Sequence, residues 1–365
     1  MTKKSKVDDK DDSINKKSML GKKIKAAILV EQKKPLVIAD IILPEKLEYG
    51  QVLVNIHYTG ICGSQLNEID GVKGPDKFLP HLLGHEGGGV VEEVGAGVTV
   101  VKPGDHVVMH WRKGNGIHAG TPTYKWGDKT VNAGWVTTFS EYAVISENRL
   151  TPIPQDYDLK IAPLYGCALT TAFGVINNNA KLKTGESILI FGTGGVGNAI
   201  VFMASLASAN PIIAVDINDF KLANAKKHGA THIINSKKED AAKKVLEMFP
   251  QGVDVAVDTT GIKEIRELAY ELTSAEGITV LVGVPKKGEK MCIDSFPLHF
   301  YKKITGSHGG ESMPSRDIPR LIRLHQTKKY DLNGMISHYF PLDKINEAIQ
   351  LVRTGDAIRC IIKMV

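Results

Sequence analysis

Three side chains in this sequence are of the kinds that hold a transition metal: Cys62 in GICGSQ, His85 in LLGHEGGG and Cys167 in LYGCAL. Singly, each has a plain reading. A lone cysteine is usually a small buried hydrophobe, and a lone histidine a hydrogen-bonded polar group. Together, two thiolates and one imidazole fill three corners of a tetrahedral zinc site. The fourth corner stays open, which separates a reactive zinc from a structural one. The chemistry on offer is Lewis-acid activation of an oxygen.

A second group is the glycine run GTGGVG, Gly192 to Gly197. Glycines alone are weak evidence, but these follow the apolar run SILIF and precede NAIVFMASLA. That order is strand, tight turn, helix. Gly192 permits the turn, Gly194 lets the backbone approach a pyrophosphate, and Gly197 allows close helix–strand packing. Gly195 and Val196 complete the turn, and the N–H groups at the helix start would face phosphates. Asp216 ends the next strand, nineteen residues after Gly197. A carboxylate there would bind ribose hydroxyls and repel a 2′-phosphate. Ile217 and Asn218 supply no arginine for that phosphate, so NAD is expected over NADP. A structural glycine turn beside a solvated Asp216 is the alternative.

The elements that must position these residues fall into two rhythms. From Ile24 to about Ser146 the chain reads as short strands between glycine turns, a barrel-like β unit. From about Leu169 strands alternate with helices: SILIFG, PIIAVD, HIINS, VDVAVDTTG and ITVLVGVP are strands. Helices are expected at Asp219–His228, Lys238–Met248 and Ile262–Ser274. This order predicts a doubly wound parallel sheet and an α/β chain. The expected organisation is a charged, disordered tail over 1–23, a β unit over 24–168, a nucleotide-binding unit over 169–306, and a return segment over 307–365. That last segment carries two amphipathic helices and the strand RCIIKMV.

Composition narrows the classes. The chain has 365 residues, 42% hydrophobic, enough for two domains. A formal charge of +6 from 46 basic and 40 acidic residues leaves no one-signed face, so nucleic acid is not an expected partner. No residue between Glu186 and Asp216 is charged. Gly192, Gly194, Gly195, Gly197, Asn198, Asn210 and Pro211 break that stretch, so a membrane span is not expected. With four cysteines and no apolar leader core, a reducing cytoplasm is the expected compartment.

On GICGS, GHEGGGVVEEVGAGVTVVKPGDHV, YGCALTTAFG and GTGGVG, the sequence resembles the zinc-containing medium-chain alcohol dehydrogenases over nearly everything after the tail. The resemblance implies a GroES-like β-barrel catalytic domain joined to a Rossmann domain, one catalytic zinc, NAD, and a homodimer or homotetramer. By it, Cys62, His85 and Cys167 would bind zinc, with Glu86 behind the metal. Ser64 would meet the substrate hydroxyl, and Thr171 the nicotinamide. Asp216 and Lys221 would bind the adenosine ribose, and Arg359 the pyrophosphate.

The pattern also departs from the family. Many relatives hold a second zinc on four cysteines, whereas residues 111–138 contain none. Packing of Trp111, Tyr124, Trp126 and Trp135 into a core is the expected substitute. Gln65 stands in place of the usual Asp behind a zinc-bound histidine, so that surrounding is less anionic. Asn67 replaces a relay histidine found in some relatives, leaving water or His57 as a proton exit. Gly63 replaces a basic residue near the pyrophosphate. Cys167 itself resembles the alcohol and glutathione-adduct branches more than the polyol branch, whose third ligand is a carboxylate. The reading is therefore an NAD-linked enzyme for a small alcohol or its carbonyl partner. A dehydrogenase of a sugar, polyol or phosphorylated alcohol is the alternative within the class. A catalytically silent nucleotide-binding protein is the alternative outside it.

Overall fold

The computed structural model describes residues 18–327 and 331–364. The expected tail lies outside the described residues as far as residue 17. From there the chain is seated: Met19 and Leu20 pack on a barrel core, Gly21 N donates to the Pro44 carbonyl at 3.0 Å, and Lys23 opens the first strand.

Two β layers form the first part. Strands Lys23–Leu29, Val37–Ile42, Thr123–Trp126, Lys129–Asn132 and His81–Leu82 close a small barrel. Its core holds Ile24, Ala26, Ile28, Ile41 and Leu43, the inward residues of alternating strands. Beside it lies a seven-stranded sheet with Gln51–Gly60 near its centre, bonded to Gly87–Val94, Tyr142–Ser146 and Cys360–Lys363. The last strand of the chain therefore sits against one of the first.

The rest is a parallel sheet of six strands. In space they run His232–Asn235, Ile212–Asp216, Ile188–Phe191, Val253–Asp258, Thr273–Leu281 and Lys303–Gly306. Numbered along the chain, that order is 3-2-1-4-5-6, the doubly wound arrangement whose crevice opens where the order reverses, between the first and fourth strands. Ile188–Phe191 is buried along its whole length, as a strand covered on both faces must be. The architecture is α/β, as expected. The expected helix starting at Lys238 begins at Ala241, because Asp240 caps it by accepting from Lys243 N at 3.1 Å. The helix expected to reach Ser274 stops at Glu271, since Thr273 already pairs with Val253 in the sheet. Among the described residues no helix is long and apolar enough to cross a membrane.

The cysteine-free segment 111–138 is held differently from expectation. Tyr124 is buried in the barrel and its hydroxyl accepts from Val144 N at 2.9 Å. Trp126 packs partly on the same core. Trp135 is 44% exposed, tilted against His118 instead of in a core, and Trp111 meets His308 edge-on. The main anchor is a buried carboxylate. Glu147 accepts from Thr99 N, Val100 N and Ile117 N, each at 2.6 Å, while Ser146 Oγ accepts from Ala119 N at 2.9 Å. One acid thus ties two loops that a strand ladder leaves unpaired.

Replacing Glu147 with Ala leaves three partly buried N–H donors without their acceptor. We expect a loss of about 1–3 kcal/mol, seen as a drop in unfolding temperature with the metal content unchanged. An unfolding temperature equal to the parent's would refute this anchor.

Candidate active site

Each metal-type ligand sits where a regular element breaks. Cys62 follows the strand Gln51–Gly60 and caps the helix Gly63–Ile69. His85 lies in the turn before the strand Gly87–Val94, next to Gly84, whose φ of +91° only glycine adopts readily. Cys167 stands between the helices Ala162–Gly166 and Ala168–Gly174, with φ −145° and ψ −71°. Breaks of this kind free a side chain from the packing of either neighbour and let it point inward.

These three side chains converge. Their donor atoms all lie within 4.8 Å of one another, and the two sulfurs are 3.9 Å apart. Two sulfurs on one tetrahedral zinc, each about 2.3 Å from it, stand about 3.8 Å apart. His85 Nε2 is buried with no hydrogen-bond partner. A buried donor or acceptor without a partner is costly, and a cation between the sulfurs and this nitrogen removes that cost. The donor set and spacing fit zinc.

Electrostatics agree with a cation site. Sharing a proton with Cys167 holds the Cys62 thiol well below its ordinary range, against the effect of burial. The same sharing, together with burial, pushes Cys167 up. Glu86, fully buried behind the pair, is pushed up to about 7 by burial, although Arg359 pulls the other way.

Glu86 and Arg359 form a buried ion pair, Nη1 to Oε1 at 2.7 Å. The same nitrogen donates to the Ile61 carbonyl at 3.2 Å. Room for this pair comes from small residues. A β-carbon at Gly60 or Gly166 would collide with Glu86, and one at Gly195 would lie 2.8 Å from Arg359 Nη2. Arg359 therefore spans from the metal-type cluster to the glycine turn. The backbone of Glu86 is pinned by Thr59 Oγ1, which donates to its carbonyl at 2.8 Å. Nothing in the sequence flagged Thr59, since threonine is ordinary in a strand.

The glycine turn has the stereochemistry its sequence implies. Gly192 has φ +83°, and a β-carbon at Gly197 would overlap the Gly192 carbonyl. A β-carbon at Gly194 would meet nothing, so that face is open to a ligand. Val196 lies in the first turn of the twelve-residue helix Gly195–Leu206. Asp216 does more than a free carboxylate would. It accepts from Thr193 N at 2.6 Å and Thr193 Oγ1 at 3.0 Å, so it also holds the turn itself. Its other oxygen takes Ile217 N and Asn218 N at 2.7 and 3.0 Å. Lys221 lies in the next helix, Asp219–Lys227, with its Nζ towards Gly355. Thr171 is buried one turn after Cys167, donating its N–H to the Cys167 carbonyl at 2.9 Å. Ser64 Oγ, two residues from Cys62, is buried without a partner.

Gln65 links two of the metal-type residues, a contact its sequence position only half revealed. Its Oε1 accepts from Cys62 N at 2.9 Å, and its Nε2 meets His85 Nδ1. The sequence placed it behind a histidine but gave no sign of the bond to Cys62.

Replacing Arg359 with Met strands a buried carboxylate. The expected loss is about 3–5 kcal/mol, read as a fall in unfolding temperature. Glu86→Gln in the same chain should recover part of it. If R359M unfolds like the parent, the pair is not holding the site together.

The chain matches two family descriptions: "Alcohol dehydrogenase GroES-like domain" over residues 48–155 and "Zinc-binding dehydrogenase" over residues 195–327. It is 33% identical to alcohol dehydrogenase class-P of Arabidopsis thaliana, over 93% of this chain and 97% of that protein. It is 32% identical to S-(hydroxymethyl)glutathione dehydrogenase of Synechocystis, over 93% of this chain and 99% of that protein. Benzyl alcohol dehydrogenase from Acinetobacter calcoaceticus superposes with a TM-score of 0.85 at 29% identity, covering 94% and 100% of the two chains. With a GroES-like domain, a doubly wound sheet and a Cys–Cys–His cluster, the chain belongs to the zinc-dependent alcohol dehydrogenase family of oxidoreductases.

Proposed function

We propose that this protein is an NAD-dependent dehydrogenase of a small alcohol or its aldehyde or ketone. The observation that carries the reading is the convergence of Cys62, His85 and Cys167 beside a glycine turn with an open face. Bound zinc would polarise the reacting oxygen, and bound nicotinamide would accept or return the hydride.

The chain's own residues would do the rest. Cys62, His85 and Cys167 would hold the metal, which would supply Lewis-acid activation of the substrate oxygen. Ser64, whose buried hydroxyl has no partner, takes the hydrogen bond of the substrate hydroxyl and passes its proton outward. Glu86 offsets the charge of Arg359 behind the metal. Arg359 keeps a guanidinium nitrogen against Gly195, where a pyrophosphate on Gly194, Gly195 and Val196 would meet it. Gly192 and Gly197 keep the turn tight enough for that approach. Asp216 and Lys221 face the adenosine ribose, and Thr171 the nicotinamide. The cofactor is NAD and not NADP, because a 2′-phosphate would meet the carboxylate of Asp216 with no arginine nearby in sequence.

Free thiols at Cys62, Cys167, Cys292 and Cys360 suit a reducing cytoplasm. The edge strand Lys303–Gly306, flanked by exposed Phe296, Phe300 and Tyr301, supports a homodimer, doubled in a homotetramer. The silent-protein alternative loses ground because its ligands and serine are all in place. The polyol alternative is weaker because the third ligand is Cys167.

Metal analysis should find close to one zinc per chain. Cys62→Ser should lose the zinc and cut kcat/KM by at least a thousandfold while NADH still binds. Retained turnover would remove the metal role. Asp216→Ala should lower the NAD-over-NADP preference at least tenfold in kcat/KM, and an unaltered preference would take Asp216 out of the ribose site.

A further inference from the structure

Gln65 sits 1% exposed between two proposed zinc ligands and touches both. It is the third residue of the helix Gly63–Ile69, with its side chain folded back to the Cys62 N–H in a capping arrangement. A side-chain amide has one accepting end and one donating end. The oxygen end is used by Cys62 N–H at 2.9 Å, so the NH₂ end is what His85 Nδ1 meets.

That arrangement conflicts with metal binding through the other ring nitrogen. His85 Nε2 is the buried, unpartnered atom of the site. When a neutral imidazole gives Nε2 to a metal, its Nδ1 carries the hydrogen and needs an acceptor. Cys62 N–H and His85 Nδ1–H are then two donors that meet opposite ends of one amide, and only its oxygen end can accept. Turning the amide over moves the mismatch from His85 to Cys62 and does not remove it. A carboxylate at the same place would accept from both.

We infer that Gln65 is a positioning residue that weakens the hold on zinc: its amide leaves one of the two ligand residues with a buried, unanswered donor whenever the metal is bound. The inference rests on the zinc site proposed above. It implies a metal that exchanges faster than it would behind an acid, and a site whose loading responds to zinc supply. Partners of this kind commonly change metal affinity 10–100-fold.

The test measures zinc affinity by chelator competition for the parent, Gln65→Glu and Gln65→Met. Glu keeps the side-chain length and offers two accepting oxygens at a helix start that favours an acid. Q65E should bind zinc at least tenfold more tightly and release it to chelator more slowly. Q65M, which answers neither donor, should bind no more tightly than the parent. As an independent readout, the His85 ring N–H in the zinc-loaded proteins should exchange its hydrogen at least tenfold more slowly in Q65E than in the parent, whose Gln65 oxygen is taken by Cys62 N–H. Equal zinc affinity of Q65E and a parent that holds one zinc per chain would overturn the inference and leave the metal site standing. A parent that binds no zinc would overturn both.

Discussion

The contact on which this site depends is the buried pair of Arg359 and Glu86. Arg359 precedes the last strand, and Glu86 follows the histidine of the cluster by one residue. The guanidinium also bonds the Ile61 carbonyl, next to Cys62, and lies against Gly195. One side chain from the end of the chain therefore reaches the metal-type cluster and the glycine turn together. Two charges buried this deeply are stable only with good geometry and further hydrogen bonds. The glycines at 60, 166 and 195 exist to give that geometry room.

The same economy recurs elsewhere. Asp216 was read as a ribose ligand, yet it also carries the backbone of Thr193 in the turn. Glu147 holds the loops around residues 99 and 117. Gln65 bridges Cys62 and His85. In each case a single polar side chain takes the place of regular backbone pairing. Cofactor chemistry is supplied by bound groups, so the chain's task is to place donors and exclude alternatives.

Such placement also brings the proposed metal and cofactor residues onto shared elements. The Cys167 break leads directly into the helix bearing Thr171, so the proposed metal ligand and the proposed nicotinamide contact lie one helical turn apart. The glycine turn follows Ile188–Phe191, one of the two strands at the switch point of the parallel sheet.

Much of this was legible in the sequence because its signals are local. Strand periodicity, the turn chemistry of GTGGVG and the ligand segments each span about ten residues or fewer, and backbone stereochemistry acts at that range. Helix ends were less legible, as at Asp240 and Thr273, where a cap or a distant strand decides. Trp135 read as core and is exposed, because burial depends on what folds over a residue and not on its type. By itself the sequence determined the α/β class, the glycine turn and the identity of the three metal-type residues. Only the tertiary structure decided that Arg359 pairs with Glu86, that Glu147 anchors the cysteine-free segment, and that Gln65 touches two ligands at once. Those contacts join residues up to 273 positions apart, and no periodicity carries information across such a distance.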